Sequence, residues 1–106
     1  DAELHMSTLP LLDGAVDCVK AGIVSSLQAA NVRLRHALRN AQEFVQDARY
    51  PLLFDPQTAG GLLASVPASQ ADACIAALHA SGYLQAAIIG RVTPHGSAPE
   101  PVLLKT

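Results

Sequence analysis

The segment PLLFDPQTAGGLLASV, Pro51 to Val66, constrains the fold of this chain more than any other. Two apolar runs, Leu52–Phe54 and Leu62–Val66, flank a loop that combines a carboxylate, an amide, a hydroxyl and two glycines. Tyr50 precedes a proline and therefore favours extended backbone, so the first run is predicted to be a strand. The second run is predicted to be the next strand, ended by Pro67. The sequence thus predicts a strand, a polar loop and a second strand near the centre of the chain.

Apolar residues at helical spacing precede this unit. A first helix is predicted to start near Asp13 and to end at Gly22. A second helix is predicted from Gln28 to Val45, with a break near Asn40.

The clearest helical pattern follows Pro67. Ser69 and Asp72 have the spacing of a capping box, and Gly82 is typical of a helix end. The buried face of this helix is predicted to contain Ala71, Cys74 or Ile75, and Leu78.

Three further strands complete the predicted order. They cover Leu4–Thr8, Ala86–Val92 and Val102–Leu104, and Pro94–Pro101 is predicted to be a turn between the last two. A chain of 106 residues has room for one hydrophobic core. We therefore expect residues 1–106 to form a single α+β domain.

Composition and charge exclude several classes of protein. Half of the residues are hydrophobic and 15% are charged, which favours a packed domain over a disordered tail. The formal net charge of −2 gives no general attraction to nucleic acid or to an anionic membrane. No apolar run approaches the ~20 residues of a membrane span, and the first ten residues lack the pattern of a secretion signal. Cys18 and Cys74 are predicted to be reduced, buried thiols, so we expect a cytoplasmic protein. From its charge and hydropathy we expect the protein to bind neither nucleic acid nor membrane.

The loop Asp55–Gly61 is the best candidate for chemistry. Gly60 and Gly61 allow backbone N–H groups to face an anion, Thr58 offers a hydroxyl to a phosphate, and Asp55 could hold Mg²⁺. The loop has neither the spacing of a GxGxxG motif nor the lysine of a Walker motif. Asp-Pro followed by Gly-Gly is also an ordinary connection between strands, so both interpretations stay open.

Other polar residues give weaker signals. Arg35 and Arg39 lie one helical turn apart and could hold a phosphate, but a solvated face balanced by Glu43 and Asp47 is the preferred interpretation. The four histidines are scattered, which predicts no zinc site. Both cysteines lie in apolar patterns, which favours core packing over a nucleophilic role.

The segment Leu52–Leu63, LLFDPQTAGGLL, resembles a signature of the selenophosphate synthetases, also called selenide, water dikinases. It differs at one of twelve positions, where the family usually has serine in place of Ala59. LPLLDGAVDCVKAGIVSS, Asn31 and SGYLQAAIIGRV also resemble family segments in the same order, so the resemblance extends from Leu9 to about Val92. Aminoimidazole ribonucleotide synthetases and hydrogenase-maturation ATPases share the fold but match these residues less well.

The resemblance implies a fold and a parent enzyme. The expected fold is a mixed sheet packed with helices, like the carboxy-terminal domain of aminoimidazole ribonucleotide synthetase, with partial similarity to a ferredoxin-like arrangement. The parent would be a two-domain enzyme that converts ATP, selenide and water to selenophosphate, AMP and phosphate with Mg²⁺. We expect Asp1 to follow the glycine-rich segment with the catalytic cysteine and lysine, the metal-binding aspartates and the first motif of the second domain. This chain is therefore expected to be an N-terminally truncated, inactive piece with no catalytic residue or metal ligand, and neither Cys18 nor Cys74 matches the catalytic cysteine.

The resemblance also assigns a role to the loop. Thr58, Gly60 and Gly61 are expected to line the cleft between domains, near the nucleotide phosphates or the bound metal. The implied partners are the amino-terminal catalytic domain, ATP and selenide, and a homodimer is possible. Two alternatives remain open: a stand-alone ligand-binding or regulatory module without catalysis, and a structural dimerisation domain.

Overall fold

Three short strands form the sheet of this protein, which a computed structural model describes over residues 1–106. The strands are β1 (Ala2–His5), β2 (Gly90–Val92) and β3 (Val102–Lys105), in the order β2-β1-β3. β1 pairs antiparallel with β2 and parallel with β3. The predicted α+β class with a mixed sheet is therefore confirmed.

The predicted strands differ from these three in extent. The first ends at His5, because Met6–Thr8 turns into a short 3₁₀ helix that buries Met6. The predicted strand Ala86–Val92 shortens to β2, whereas β3 lies where it was predicted and extends to Lys105. Pro94–Pro101 contains no helix or strand, as predicted.

The chain also contains four α-helices, and a glycine lies near each end of the first. Helix α1 (Ala15–Lys20) follows Gly14, which has φ = 82°, and is followed by Gly22, which has φ = 74°. Glycine adopts these left-handed conformations without steric cost. The boundaries predicted near Asp13 and at Gly22 are confirmed.

The predicted second helix is divided into shorter parts. Helix α2 (Gln28–Asn31) continues as a 3₁₀ helix over Val32–Ala37, and helix α3 (Ala41–Phe44) follows the break predicted near Asn40. The break lies beside β3, where Asn40 Nδ2 donates to the Leu104 carbonyl at 3.1 Å and Asn40 Oδ1 accepts from the Leu104 N–H at 2.9 Å. Attachment to the sheet therefore interrupts the helix at this point.

The two strands predicted around the polar loop are wrong. Tyr50–Phe54 is a 3₁₀ helix whose Tyr50 and Phe54 side chains are buried, and Leu62–Val66 has no helix or strand. An apolar run becomes a strand only when a neighbouring strand accepts its hydrogen bonds, and neither run has such a partner.

The hydrophobic core lies between the sheet and residues 28–54. Tyr50 and Phe54 meet edge to face with their ring centroids 5.2 Å apart, a favourable geometry for aromatic rings. The buried hydrophobic residues are Met6, Phe44, Tyr50, Phe54 and Leu104, of which Met6 and Leu104 are fully buried. This core fixes the start of the polar loop, because the loop leaves directly from Phe54.

Helix α4 (Ala71–Ala80) confirms the clearest helix of the sequence and is followed by Gly82, which has φ = 93°. The predicted capping box is absent: Gln70 occupies the N-cap without a side-chain hydrogen bond, because Ala68–Gln70 forms a preceding 3₁₀ turn. The predicted face is only half covered, with Ala71, Cys74 and Ile75 half-buried and Leu78 exposed.

Both cysteines are free thiols, as predicted. The prediction that both are buried is wrong, because Cys18 is exposed and Cys74 is half-buried. None of the helices combines the length and the apolar character needed to cross a membrane.

Candidate ligand-binding site beside the Asp55–Gly61 loop

The polar loop leaves the core in two steps. Asp55 and Pro56 are half-buried beside Phe54, whose exposed fraction is 4%, and residues 57–61 are exposed. Gln57 Nε2 donates to Asp55 Oδ2 at 3.3 Å, which ties the first part of the loop to itself. The loop therefore has an anchored base and an exposed tip.

A polar groove of about 440 Å³ lies between the base of this loop and helix α2. Its lining residues bring together two amides, one carboxylate and one hydroxyl; they are Leu27, Asn31, Asp55, Pro56, Gln57 and Thr58. The fold thus unites Thr58 with Asn31, more than twenty residues earlier in the chain. The hydroxyl and the amides can donate hydrogen bonds to phosphate oxygens. No lysine or arginine lines the groove, so positive charge for a phosphate has to come from outside it.

An apolar cleft of about 330 Å³ adjoins the groove, and Asp55 lines both. One wall comes from α1 and the residues that follow it, and the other comes from the 3₁₀ helix before the loop. The lining residues are Ala15, Cys18, Val19, Ile23, Val24, Ser25, Gln28, Pro51, Leu52 and Asp55. The loop base is therefore flanked by an apolar and a polar concavity.

Gln28 is the buried polar residue of the apolar cleft, with an exposed fraction of 9%. Its Nε2 donates to the Pro51 carbonyl at 2.6 Å, and its Oε1 is buried without a hydrogen-bond partner. Sequence reasoning missed Gln28, because a polar residue at the start of a helix ordinarily faces solvent. Only its placement against Pro51 reveals it.

The glycines of the loop lie apart from both concavities. Gly60 and Gly61 are exposed and line neither the groove nor the cleft. A Cβ added to Gly60 would lie 2.7 Å from Gln57 Oε1, so the backbone passes close to that side chain, whereas Gly61 faces open space. Contact of either glycine with a phosphate stays a prediction.

Two arginines outside the loop, Arg39 and Arg91, have structural partners. Arg39 Nη2 donates to Asp1 Oδ2 and to the Glu100 carbonyl, both at 2.9 Å, so Arg39 is not free to form a phosphate clamp with Arg35. Across β1 and β2, Arg91 Nε donates to Glu3 Oε2 at 2.6 Å. This hydrogen bond holds the pKa of Glu3 below its usual value and raises the pKa of Arg91.

The acidic and metal-binding side chains are dispersed. No three or more histidine, cysteine, aspartate or glutamate side chains come close enough together to hold a metal ion. Asp55 is the single carboxylate of the groove, so it can contribute to a Mg²⁺ site only together with ligands from elsewhere.

A known protein family matches most of this chain. Residues 11–99 match the family described as AIR synthase related protein, C-terminal domain, and the chain belongs to this family. The resemblance to the selenide, water dikinases predicted from Leu52–Leu63 is also confirmed. The chain is 32% identical over 98 residues to "Selenide, water dikinase" of Clostridioides difficile (strain 630), covering 89% of this chain and 27% of that protein.

Other relatives carry the same name. The protein from Agathobacter rectalis is 37% identical over 95 residues, covering 87% of this chain and 27% of the relative. The protein from Desulfitobacterium hafniense (strain DSM 10664 / DCB-2) is 37% identical over 99 residues, covering 91% of this chain and 28% of the relative. The chain thus spans little more than a quarter of the length of these relatives, and no solved structure matches it.

Proposed function

We propose that this chain is the carboxy-terminal domain of a selenophosphate synthetase, which converts ATP, selenide and water to selenophosphate, AMP and phosphate. The observation that carries the proposal is the segment LLFDPQTAGGLL, together with relatives named selenide, water dikinase that match 85% or more of this chain. The amino-terminal domain of the same polypeptide is its proposed partner and supplies the catalytic groups.

The proposed contribution of this chain is to bind and orient the nucleotide. The Thr58 hydroxyl and the Asn31 amide are placed to donate to phosphate oxygens in the polar groove, and the Gly60 and Gly61 N–H groups are the proposed further donors. Mg²⁺, when bound, neutralises phosphate charge and orients the reacting oxygens. Asp55 is the one carboxylate of the groove, and it can accept a hydrogen bond from a water molecule bound to the metal. Positioning of this kind can supply a large part of a phosphoryl-transfer rate.

The isolated chain is proposed to be inactive. Its groove contains no cysteine or lysine and only one carboxylate. Selenide-dependent release of AMP by the pure 106-residue chain would contradict this. The two free thiols agree with a reducing compartment, and we propose that the parent enzyme acts in the cytoplasm.

Phosphorus NMR of a reaction with Mg²⁺, ATP and selenide tests the proposal. The full-length gene product and the 106-residue chain are measured in parallel, and we expect a selenophosphate signal from the full-length protein alone. No signal from a folded full-length protein would reject the synthetase.

A ligand-binding module without catalysis is the second candidate. It is favoured by the two adjoining concavities, which one domain builds from its own residues. Binding of nucleotide without turnover by the full-length protein would select this function.

A further inference from the structure

Residues 62–88 contain helix α4 and no buried residue. The 3₁₀ turn Ala68–Gln70, which directly precedes α4, is the only element in more than marginal contact with this helix. A helix of ten residues is only marginally stable by itself, because most helical stability in proteins comes from tertiary packing of an apolar face. Within these 106 residues, α4 therefore lacks the packing that a helix of this length requires.

The residues after α4 are attached to its last turn. The Tyr83 N–H donates to the Leu78 carbonyl at 3.0 Å, and His79 Nε2 donates to the Ala86 carbonyl at 2.8 Å. These hydrogen bonds hold residues 83–86 against the end of the helix. The helix and the apolar residues that follow it thus form one unit.

This unit and the apolar run before it are almost uncharged. Asp72 is the only aspartate, glutamate, lysine or arginine among residues 62–88. Seven of the fourteen exposed large hydrophobic side chains of the protein form the 62–88 surface: Leu62, Leu63, Val66, Leu78, Tyr83, Leu84 and Ile88. Depletion of charged residues distinguishes the centre of a protein–protein interface from ordinary surface. The 62–88 surface therefore has the composition of an interface that stays covered.

The length of the relatives indicates what covers it. The chain covers 27% and 28% of two of the named relatives, so most of the proposed parent polypeptide lies outside residues 1–106. A surface on the same polypeptide meets its partner surface at an effective concentration on the order of millimolar, which a separate protein rarely reaches. An uncharged surface also offers no electrostatic selection of a nucleic acid or of a charged protein.

We propose that the 62–88 surface is the docking surface for the part of the parent polypeptide outside these 106 residues, and that its occupant is an apolar, uncharged face of that part. This inference rests on the proposed function for the existence of the parent, and it adds the surface through which the two parts associate.

Docking at this surface has a consequence for the polar loop. Phe54 anchors the start of the loop in the core, whereas Leu62, directly after Gly61, is 95% exposed. Burial of Leu62 against the rest of the parent anchors the second end. The exposed tip, residues 57–61, is then held between the core and the docking surface.

Hydroxyl-radical footprinting of the full-length protein, read by mass spectrometry, tests the proposal. Leucines share one intrinsic reactivity, so their modification rates compare solvent exposure directly. We expect Leu62, Leu63 and Leu84 to be modified as slowly as Leu104, which is 1% exposed in the core. A reporter peptide with an exposed leucine, added to the same sample, gives the rate of a fully accessible side chain. Modification of Leu62 and Leu63 at the reporter rate overturns the proposal.

Dilution separates the proposed occupant from a second copy of the protein. Protection within one polypeptide is expected to stay constant when the protein is diluted over about two orders of magnitude, because only association between molecules depends on concentration. Protection that disappears on dilution assigns the surface to a dimer and overturns the proposal.

A charge placed in the surface provides the second test. Leu84→Asp in the full-length protein is expected to raise the modification rates of Leu62 and Leu63 toward that of the reporter. Leu12→Asp is the matched control, at a leucine that is 81% exposed and lies outside the 62–88 surface, and it is expected to leave both rates unchanged. Full protection of Leu62 and Leu63 in Leu84→Asp refutes docking at one common surface.

These outcomes are independent of the synthetase activity. Selenophosphate production by a protein whose Leu62 and Leu63 react at the reporter rate rejects the docking surface and keeps the proposed function. Protection of both leucines in a protein that makes no selenophosphate keeps the docking surface and rejects the synthetase.

Discussion

At the residue scale, Asn40 connects two distant parts of the chain. Both polar atoms of its side chain are hydrogen-bonded to the backbone of Leu104, the most deeply buried residue of β3. No other side chain type of this size offers a donor and an acceptor in the same plane. Asn40 therefore fixes the position of the α2–α3 segment against the sheet.

Replacement of Asn40 by alanine is expected to destabilise the chain. Two hydrogen bonds at about 1 kcal/mol each are lost, so the free energy of unfolding should fall by about 2 kcal/mol. Urea denaturation measures this change as a shift of the midpoint urea concentration, while the dependence of the unfolding free energy on urea concentration stays the same. Asn40→Asp keeps the acceptor for the Leu104 N–H but not the donor, so it should be less stable than the wild type. Equal stability of wild type and Asn40→Ala would show that water replaces both bonds.

Thr58 tests the proposed nucleotide site at the scale of one hydroxyl. Thr58→Val in the full-length protein is expected to raise the KM for ATP about tenfold, the effect of one lost hydrogen bond to a charged group. Thr58 is exposed, so the thermal midpoint should not change. Steady-state kinetics of Thr58→Val and of the control Thr106→Val, at the exposed end of the chain, make the comparison. Wild-type KM and kcat in Thr58→Val would remove Thr58 from the site.

At the scale of elements, the sheet depends on pairing between strands that are far apart in sequence. β1 lies at the centre and contacts β2 and β3, which come from the last seventeen residues of the chain. The Glu3–Arg91 ion pair joins β1 to β2 at the surface. Because Arg91 is largely exposed, solvent limits the contribution of this pair to stability.

The pH dependence of this pair has a definite sign. The pKa of Glu3 is lowered by the Arg91 hydrogen bond, so the pair stabilises the folded chain above the ordinary glutamate pKa of 4.5. This contribution is lost as the pH falls through the lowered value. An NMR titration should therefore give Glu3 a midpoint below 4.5, and Arg91→Gln should raise that midpoint. An unchanged midpoint in Arg91→Gln would assign the shift to another cause.

At the scale of the whole molecule, apolar surface is unevenly covered. Phe54, directly before the polar loop, is buried in the core, whereas Leu62 and Leu63, directly after the loop, have exposed fractions of 95% and 76%. Tyr83, Leu84 and Ile88 after helix α4 are also exposed. Exposed apolar surface of this kind favours association with another protein surface.

The isolated 106-residue chain is therefore expected to self-associate. Sedimentation should show a mass that rises with concentration, and Leu62→Ser with Leu63→Ser should lower the association. Leu12→Ser is the matched control, because Leu12 is equally apolar and 81% exposed at a different place. A monomer at all concentrations would contradict the expectation, and an equal effect of Leu12→Ser would show that the association is not specific to the loop.

Local chemistry explains what the sequence determined. Gly14 and Gly22 delimit α1 and Gly82 follows α4, because glycine can adopt the left-handed conformation of a helix end without steric cost. The segment Leu52–Leu63 identified the family and selected Thr58, which lies in the polar groove. These features depend on a residue and its immediate neighbours, so they can be deduced before the fold is known.

Long-range contacts decided the rest. Tyr50–Phe54 has the composition of a strand. It forms a 3₁₀ helix instead, whose Tyr50 and Phe54 side chains are buried in the core, and no strand lies beside it. In the sequence, Gln28 is indistinguishable from an ordinary helix residue. In the structure its Nε2 donates to the carbonyl of Pro51, twenty-three positions later, and its Oε1 is buried without a donor. Burial and hydrogen-bond partners depend on residues distant in sequence, and for this reason only the tertiary structure could place the cleft beside the loop.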